Sequence, residues 1–127
     1  MLVKEPNKRS AVREDKVHNV TRFTMLPLTL GQMQRKFVRM VADLIVFAYE
    51  QGFELTFGDA RAITGHMKNS LHYIGLAIDL NLFKDGKYLT LTEDHETLGK
   101  YWESIGGFWG GRFKDGNHYS LKYEGRK

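Results

Sequence analysis

The chain contains no cysteine, and this absence restricts both its cross-links and its possible metal sites. Without thiols the protein can form neither a disulfide framework nor a thiolate metal centre. Any metal ion must therefore be held by histidine, aspartate or glutamate side chains.

Long apolar runs are also missing. No uninterrupted apolar stretch approaches the roughly 18 residues that a membrane span requires, and residues 1–6 lack the apolar region of a signal peptide. We therefore expect a soluble chain with no membrane span and no signal peptide.

The composition that remains is typical of one globular domain. The 127 residues are 42% hydrophobic, which suits a single modest core but not two independent ones. The net charge is +4, and residues 1–24 hold six basic side chains against three acidic ones. We expect residues 1–24 to form a basic N-terminal arm and residues 25–127 to form the folded domain. The arm is interpreted as a disordered, solvated tail or, alternatively, as a binding segment for a polyanion such as nucleic acid, membrane or anionic cell wall.

The first half of the domain predicts a helix, a strand and a loop. Thr29 and Gln32 have the spacing of a capping box, and apolar residues recur at helical intervals behind them, so we predict a helix over 30–51. The short alternating segment 53–57 predicts a strand. The polar segment 59–71 is predicted to be a loop with one helical turn.

The second half predicts a hairpin, a helix and a last strand. In residues 76–83, leucine and isoleucine alternate with other residues, which predicts a strand with Asp79 opposite the apolar face. Asp85 and Gly86 give a two-residue hairpin signal. Thr92 is predicted to cap a second helix, and the chain is predicted to close with a strand over residues 117–123.

This order of elements favours an α+β fold, with a small antiparallel sheet packed with helices in a single domain.

His72, Asp79 and His118 form a workable set of three metal ligands. Catalytic zinc typically takes three ligands from histidine and carboxylate side chains and leaves a fourth position open. Asp79 suits this role because it is expected on the polar face of one strand, while His118 begins another. Asp115 precedes His118 by three residues and is therefore close enough in sequence to share the site as a general base.

These residues resemble the zinc D-Ala-D-Ala carboxypeptidase family, which includes the VanY and VanX enzymes and the L-alanyl-D-glutamate endopeptidases of phage endolysins. Ser70, His72 and Asp79 match its first motif, Ser-x-His followed by six residues and Asp. Asp115 and His118 match its second motif, Asp/Glu-x-x-His. The resemblance extends over about residues 28–123, and its segments 77–83 and 109–113 look especially similar to phage and prophage members.

The resemblance implies a zinc site at the sheet, with one Zn2+ per chain held by His72, Asp79 and His118. It implies Asp115 as the general base and Arg61 as an arginine that contacts the substrate and the developing oxyanion. The expected activity is hydrolysis of a peptide bond in the stem peptides of bacterial peptidoglycan. An endolysin-type L-alanyl-D-glutamate endopeptidase is the first choice, and a D-Ala-D-Ala carboxypeptidase or dipeptidase is the alternative.

The expected setting follows from the same resemblance. We expect a monomer whose partner is bacterial peptidoglycan, with no nucleic acid among its partners. The protein would be made in the cytoplasm and would act on the cell wall after holin-type release or as a virion component.

Other side chains have competing interpretations. His66 could compete as a ligand but has no motif partner, and His18 and His95 are expected at the surface. Trp109 is expected to pack in the core beneath the site or, alternatively, to line the cleft. Two further cations are interpreted as solvated loop residues or as ligands for substrate carboxylates: Arg112 and Lys114.

Two other classes of function remain open at this stage. The basic chain with its His/Asp/Asn cluster could be a metal-dependent nuclease, whose nucleic-acid binding should weaken steeply with salt. It could also be a wall-binding module without catalysis, although binding alone has no need of the base Asp115.

Overall fold

The computed structural model describes residues 27–127. The predicted basic arm over residues 1–24 and the surface position expected for His18 lie outside the described residues. The boundary expected at residue 25 therefore stays a prediction.

Helix α1 spans Leu30–Glu50 and begins where the sequence predicts. The Thr29 hydroxyl accepts a hydrogen bond from the Gln32 backbone N–H at 3.1 Å, and the Thr29 N–H donates to Gln32 Oε1 at 2.9 Å. These two bonds satisfy N–H groups that a helix start would otherwise leave unpaired. The helix buries one apolar face, which comprises Phe37, Met40, Val41, Leu44 and Ala48.

The five strands form one antiparallel sheet around a long central strand. The strands are β1 (Glu54–Phe57), β2 (Ala77–Lys84), β3 (Lys87–Leu89), β4 (Phe108–Trp109) and β5 (His118–Ser120). Their order is β1-β2-β5-β4, and β3 also pairs with β2. The second half of β2 pairs with β1 and β3, whereas its first half pairs with β5.

The predicted alternation along β2 is confirmed. Leu80 and Leu82 are completely buried, whereas the side chains of Asp79 and Asn81 are only partly buried. The hairpin that follows also forms as predicted, because Asp85 and Gly86 both adopt positive φ angles, of 52° and 78°. A two-residue turn of this kind matches the twist of the strands on either side.

The prediction that Thr92 caps the second helix is wrong. A 3₁₀ turn runs over Thr92–His95 before helix α2 begins at Glu96 and ends at Ser104. The Asp94 carboxylate accepts from the Leu91 N–H at 3.0 Å. The Thr92 hydroxyl instead accepts from the Gly116 N–H at 3.2 Å, so it ties this turn to the loop before β5.

The expectation that His95 lies at the surface is also wrong. Its side chain is 3% exposed, and its Nδ1 lies 2.8 Å from the hydroxyl of buried Tyr119. Trp109 packs in the core as predicted, with its indole N–H donating to the Gly116 carbonyl at 2.8 Å. The last strand is shorter than predicted, and β4 was missed because it contains only two residues.

The two helices pack on one core together with the sheet. Phe37 of α1 meets Trp102 of α2 edge to face, with 5.8 Å between ring centroids. Trp102 also donates its indole N–H to the Ser120 carbonyl of β5 at 2.9 Å. The predicted α+β class, a single domain with a small antiparallel sheet, is thereby confirmed. Among residues 27–127, no helix has the length and apolar character needed to cross a membrane.

Candidate metal centre

His72 is held rigidly in a 3₁₀ turn over Leu71–Ile74 that leads into β2. The Ser70 hydroxyl accepts from the His72 backbone N–H at 3.1 Å, which explains the serine two positions before the histidine. The His72 side chain is 2% exposed, and its Nδ1 lies 3.1 Å from the Ala60 carbonyl oxygen. Because a carbonyl can only accept, this contact favours the neutral tautomer with the proton on Nδ1, which would leave the lone pair of Nε2 available to a metal.

Asp79 and His118 face each other across the pairing of β2 with β5, where they are directly opposite in register. Asp79 Oδ1 lies 3.2 Å from His72 Nε2 and 3.6 Å from His118 Nδ1. The other ring nitrogen of His118, Nε2, lies 3.4 Å from the Lys127 carbonyl oxygen.

Asp79 Oδ1 thus lies close to one ring nitrogen of each histidine, an arrangement that a shared cation would satisfy. In a tetrahedral zinc site with bonds of roughly 2.1 Å, neighbouring ligand atoms lie about 3.4 Å apart. The separations of 3.2 and 3.6 Å from Asp79 Oδ1 bracket this value. The donor set of two imidazoles and one carboxylate also fits zinc. The donor set and these two separations thus fit a mononuclear zinc centre.

Electrostatics keep the carboxylate in its metal-binding form. Burial alone would raise the pKa of Asp79, but its hydrogen bonds with His118 and His72 outweigh burial and lower that pKa to about 2. For His72, burial would lower the pKa, whereas the hydrogen bond with Asp79 and the bond to the Ala60 carbonyl raise it above its usual value. Asp79 is therefore an anion at neutral pH, and protons compete with a metal for His72.

His66 also lies at this centre, which the sequence motif did not indicate. Potential ligand atoms of His66, His72 and Asp79 all lie within 4.8 Å of one another. The His66 ring is stacked on that of His72, with centroids 4.0 Å apart and 17° between planes. Its Nε2 lies 2.9 Å from Asp59 Oδ2.

The ring orientations distinguish the two possible sets of three ligands. Lone pairs of imidazole nitrogens lie in the ring plane, so the nearly parallel rings of His66 and His72 direct them side by side. The rings of His72 and His118 are inclined by 69° and can converge on one ion. His66 is also engaged by Asp59. The inclination of the rings therefore favours His118 as the third ligand, whereas the mutual distances of the ligand atoms favour His66.

Asp115 shares a cavity with His118. This cavity, about 600 Å³ in volume, is also lined by Met67, Ser70, Phe113 and Lys127, among others. The loop that carries Asp115 is held close to β5 by its backbone, since the Asp115 carbonyl accepts from the His118 N–H at 3.1 Å and the Asp115 N–H donates to the Gly110 carbonyl at 3.0 Å. A side chain at Gly110 would come within 2.4 Å of the Asp115 carbonyl oxygen, so this approach requires glycine.

Arg61 is flanked by Ala60 and Ala62, which both bond to His72 at 3.1 Å, and its contact with substrate stays a prediction. Its side chain lies over Gly75 and lines a separate cavity with Gln34 and Phe37. Arg112 is engaged by two bonds to the Glu103 carboxylate, at 2.7 and 3.1 Å. This bidentate pair occupies the Arg112 guanidinium, which leaves it poorly placed to bind a substrate carboxylate. Lys114 lines a smaller cavity that also borders Asp115.

Comparison with known proteins bears on this centre directly. Residues 64–121 match a family model described as D-alanyl-D-alanine carboxypeptidase. The matched segment covers the three candidate ligands and Asp115. The match supports a zinc-dependent peptidase that acts on peptidoglycan peptides of the D-alanyl-D-alanine kind. A search among curated proteins found no significant match.

Proposed function

We propose that this protein is a zinc peptidase that hydrolyses a peptide bond in the stem peptides of bacterial peptidoglycan, with one zinc ion per chain. The observation that carries the proposal is the convergence of His72 Nε2 and His118 Nδ1 on Asp79 Oδ1, at 3.2 and 3.6 Å. The match of residues 64–121 supports the same class of enzyme. The cavity that borders His118 supplies room for a peptide.

Each polar side chain has a distinct role in this proposal. A zinc ion held by the three ligands would lower the pKa of a coordinated water to about 7 and polarise the scissile carbonyl. Asp115 lines the same cavity as His118, and its carboxylate accepts the proton of the attacking water and passes it to the nitrogen of the leaving amine. The backbone carbonyl of Ala60 favours the tautomer of His72 that ligation needs.

For the bond cleaved, we propose the L-alanyl-D-glutamate bond, as in endolysin-type endopeptidases. Asp115 borders a second cavity of about 190 Å³ as well as the cavity at His118. Because there is space on both sides of the proposed base, the site suits a substrate peptide that continues on both sides of the scissile bond. The phage-like segments 77–83 and 109–113 favour the same choice. We extend the proposal to its setting, a phage or prophage lysis enzyme that reaches the wall by holin-type release or in the virion.

A second candidate is cleavage of the D-alanyl-D-alanine bond. It is favoured by the description of the family model that matches residues 64–121. Such an enzyme would trim stem peptides without opening the wall.

One digestion experiment tests the class of activity and separates the two bonds. Purified peptidoglycan and a soluble pentapeptide stem are incubated with the zinc-loaded protein, and the new termini are identified by mass spectrometry. We expect products with a new amino terminus at D-glutamate. Release of D-alanine would favour the second candidate. The Asp79→Ala variant, which lacks a proposed ligand, is the matched control. If the loaded protein leaves every stem peptide intact, the proposed function is wrong.

A further inference from the structure

The face of the sheet that carries Asp79 continues past the metal centre as a surface patch, which we call the open face. Asn81 and Phe83 follow Asp79 at two-residue steps along β2, so their side chains project from the same face. Both helices pack in the core on the opposite face, whose leucines are buried. The open face comprises Thr56, Asn81, Phe83 and Tyr88.

The far end of the open face is a pair of stacked aromatic rings. Phe83 and Tyr88 are directly opposite in the pairing of β2 with β3. Their ring centroids lie 5.0 Å apart, with 26° between the ring planes. Phe83 is partly buried, whereas Tyr88 is 57% exposed. The Tyr88 ring is therefore supported from one side and presents an aromatic surface to solvent.

Polar groups lie between this aromatic pair and the metal centre. The Asn81 amide donates to the Thr56 hydroxyl at 3.2 Å, and its oxygen lies 3.4 Å from the Tyr88 hydroxyl. Asn81 and Tyr88 also line the cavity of about 190 Å³ that Asp115 borders. The open face is thus joined to the proposed general base through that cavity.

An aromatic ring beside amide and hydroxyl groups suits a sugar. The C–H groups of a pyranose form an apolar face that packs on an aromatic ring, whereas its hydroxyl and N-acetyl groups need hydrogen-bond partners. The open face offers both at neighbouring strand positions, and its four side chains carry no charge. Such a surface matches a neutral N-acetylated sugar better than it matches nucleic acid or another polyanion.

The distance from the metal centre fits the sugar that precedes the L-alanyl-D-glutamate bond. At about 3.4 Å per residue, Asn81 lies about 7 Å and Phe83 about 14 Å along β2 from Asp79. Only L-alanine and the lactyl linker separate this bond from the sugar ring, which therefore begins about 7 Å from the bond. The D-alanyl-D-alanine bond is four residues from the linker, which is more than about 13 Å.

We propose that the open face binds the glycan of peptidoglycan, with the N-acetylmuramyl sugar beside Asn81 and the neighbouring sugar on the ring of Tyr88. This inference rests on the proposed function, because it requires cleavage of the L-alanyl-D-glutamate bond. The amino-terminal side of the substrate would lie along β2, and the D-glutamate side would occupy the larger cavity at His118.

Two matched substrates separate sugar binding from peptide binding. One is a disaccharide pentapeptide, and the other is the same pentapeptide with an acetyl group on L-alanine in place of the sugars. We expect the zinc-loaded wild type to have the higher kcat/KM on the disaccharide substrate. Tyr88→Ala should lower the ratio of the two kcat/KM values by roughly 3- to 10-fold. Tyr88→Phe, which keeps the ring, should retain most of the ratio.

The matched control is Phe57→Ala, which removes an exposed aromatic ring from the other face of the same sheet. Phe57 is 69% exposed and follows Thr56 on β1, so its side chain projects from the opposite face. There it borders a cavity with Ile45 and Tyr49 of helix α1. We expect this variant to keep the wild-type ratio. An equal fall of the ratio in Phe57→Ala and Tyr88→Ala would overturn the assignment to the open face.

Binding of the sugars alone is measured by NMR on the metal-free protein. The peptide-free disaccharide, with its lactyl carboxyl capped as an amide, is titrated to about 10 mM into 15N-labelled protein. We expect the backbone amide signals of Asn81, Phe83 and Tyr88 to shift in the wild type. The shifts should be much smaller in Tyr88→Ala, whose spectrum also shows whether the variant remains folded.

The outcomes separate this inference from the proposed function. Equal kcat/KM values of the wild type for the two substrates would overturn the inference, and so would a titration without shifts on the open face. The titration needs neither zinc nor hydrolysis, so it tests the open face even in a protein that cleaves no stem peptide. A protein that cleaves neither substrate would instead refute the proposed function.

Discussion

Buried His95 should make the folded protein sensitive to mild acid. Its side chain is 3% exposed and lies 2.8 Å from the Tyr119 hydroxyl. Burial lowers the pKa of His95 from 6.5 to about 4, although the nearby Asp94 charge opposes this shift. The unfolded chain therefore binds a proton at this side chain at a higher pH than the folded protein does.

The sign and size of the effect follow from this difference in pKa. Above pH 6.5 neither state holds the proton, so His95 has no pH-dependent effect on stability. As the pH falls from 6.5 toward 4, the free energy of unfolding decreases by about 1.4 kcal/mol per pH unit, because the unfolded chain binds the proton and the folded protein does not. Acidification from about pH 7.5 to about pH 4.5 should thus remove about 2.5 kcal/mol of stability through this residue. That is a large fraction of the 5–15 kcal/mol typical of a domain.

The His95→Gln variant isolates this contribution because glutamine can still form a hydrogen bond but has no proton to titrate in this range. Urea unfolding is measured for both proteins at the two pH values, with a chelator present so that metal binding does not contribute. The free energy of unfolding of the wild type should fall by about 2.5 kcal/mol more than that of the variant. A difference between the two proteins that stays constant with pH would refute the reasoning.

Three further predictions concern the metal centre and the core. His118→Ala should lose most of its bound zinc in metal analysis, whereas His66→Ala should retain about one ion per chain; the reverse result would assign the ligand role to His66. Asp115→Ala should keep its zinc but hydrolyse peptides roughly 100- to 10,000-fold more slowly, and loss of zinc in this variant would make Asp115 a ligand. Gly99→Ala should be destabilised by about 1–3 kcal/mol in urea, because a methyl group there would lie 2.1 Å from the Trp109 ring. Gly31→Ala is its control, since the nearest atom is 3.5 Å away, and unchanged stability in Gly99→Ala would contradict the packing argument.

Elements determined by nearby residues could be predicted from the sequence. Helix α1 begins at Leu30 because Thr29 and Gln32 cap it locally. Strand β2 keeps its alternation because leucines on one face fill the core. The Asp85–Gly86 turn depends only on two residues that tolerate positive φ.

Features that depend on distant contacts could not be predicted in the same way. His95 is buried because it meets Tyr119, which lies on β5. Thr92 was predicted to cap a helix because threonine is a common residue at that position. In the folded chain its hydroxyl instead accepts a hydrogen bond from the Gly116 backbone N–H. Strand β4 has two residues, too few to give a periodic signal.

In the candidate centre, too, some residues could be predicted from the sequence and others could not. Motif spacing indicated His72, Asp79 and His118, which the structure brings together. It gave no signal for His66, whose position depends on how the loop folds over His72.

Zinc affinity in this protein should depend on the pairing of β2 with β5 as much as on the ligands themselves. Asp79 and His118 become neighbours only through the register of those two strands, and His72 is positioned by the turn that leads into β2. The unfolded chain cannot present the three side chains together, so zinc held by them would bind the folded state preferentially and stabilise it by mass action. The side chains buried behind this pairing, such as Tyr119 and Leu80, would therefore contribute to metal binding although none of them is a candidate ligand.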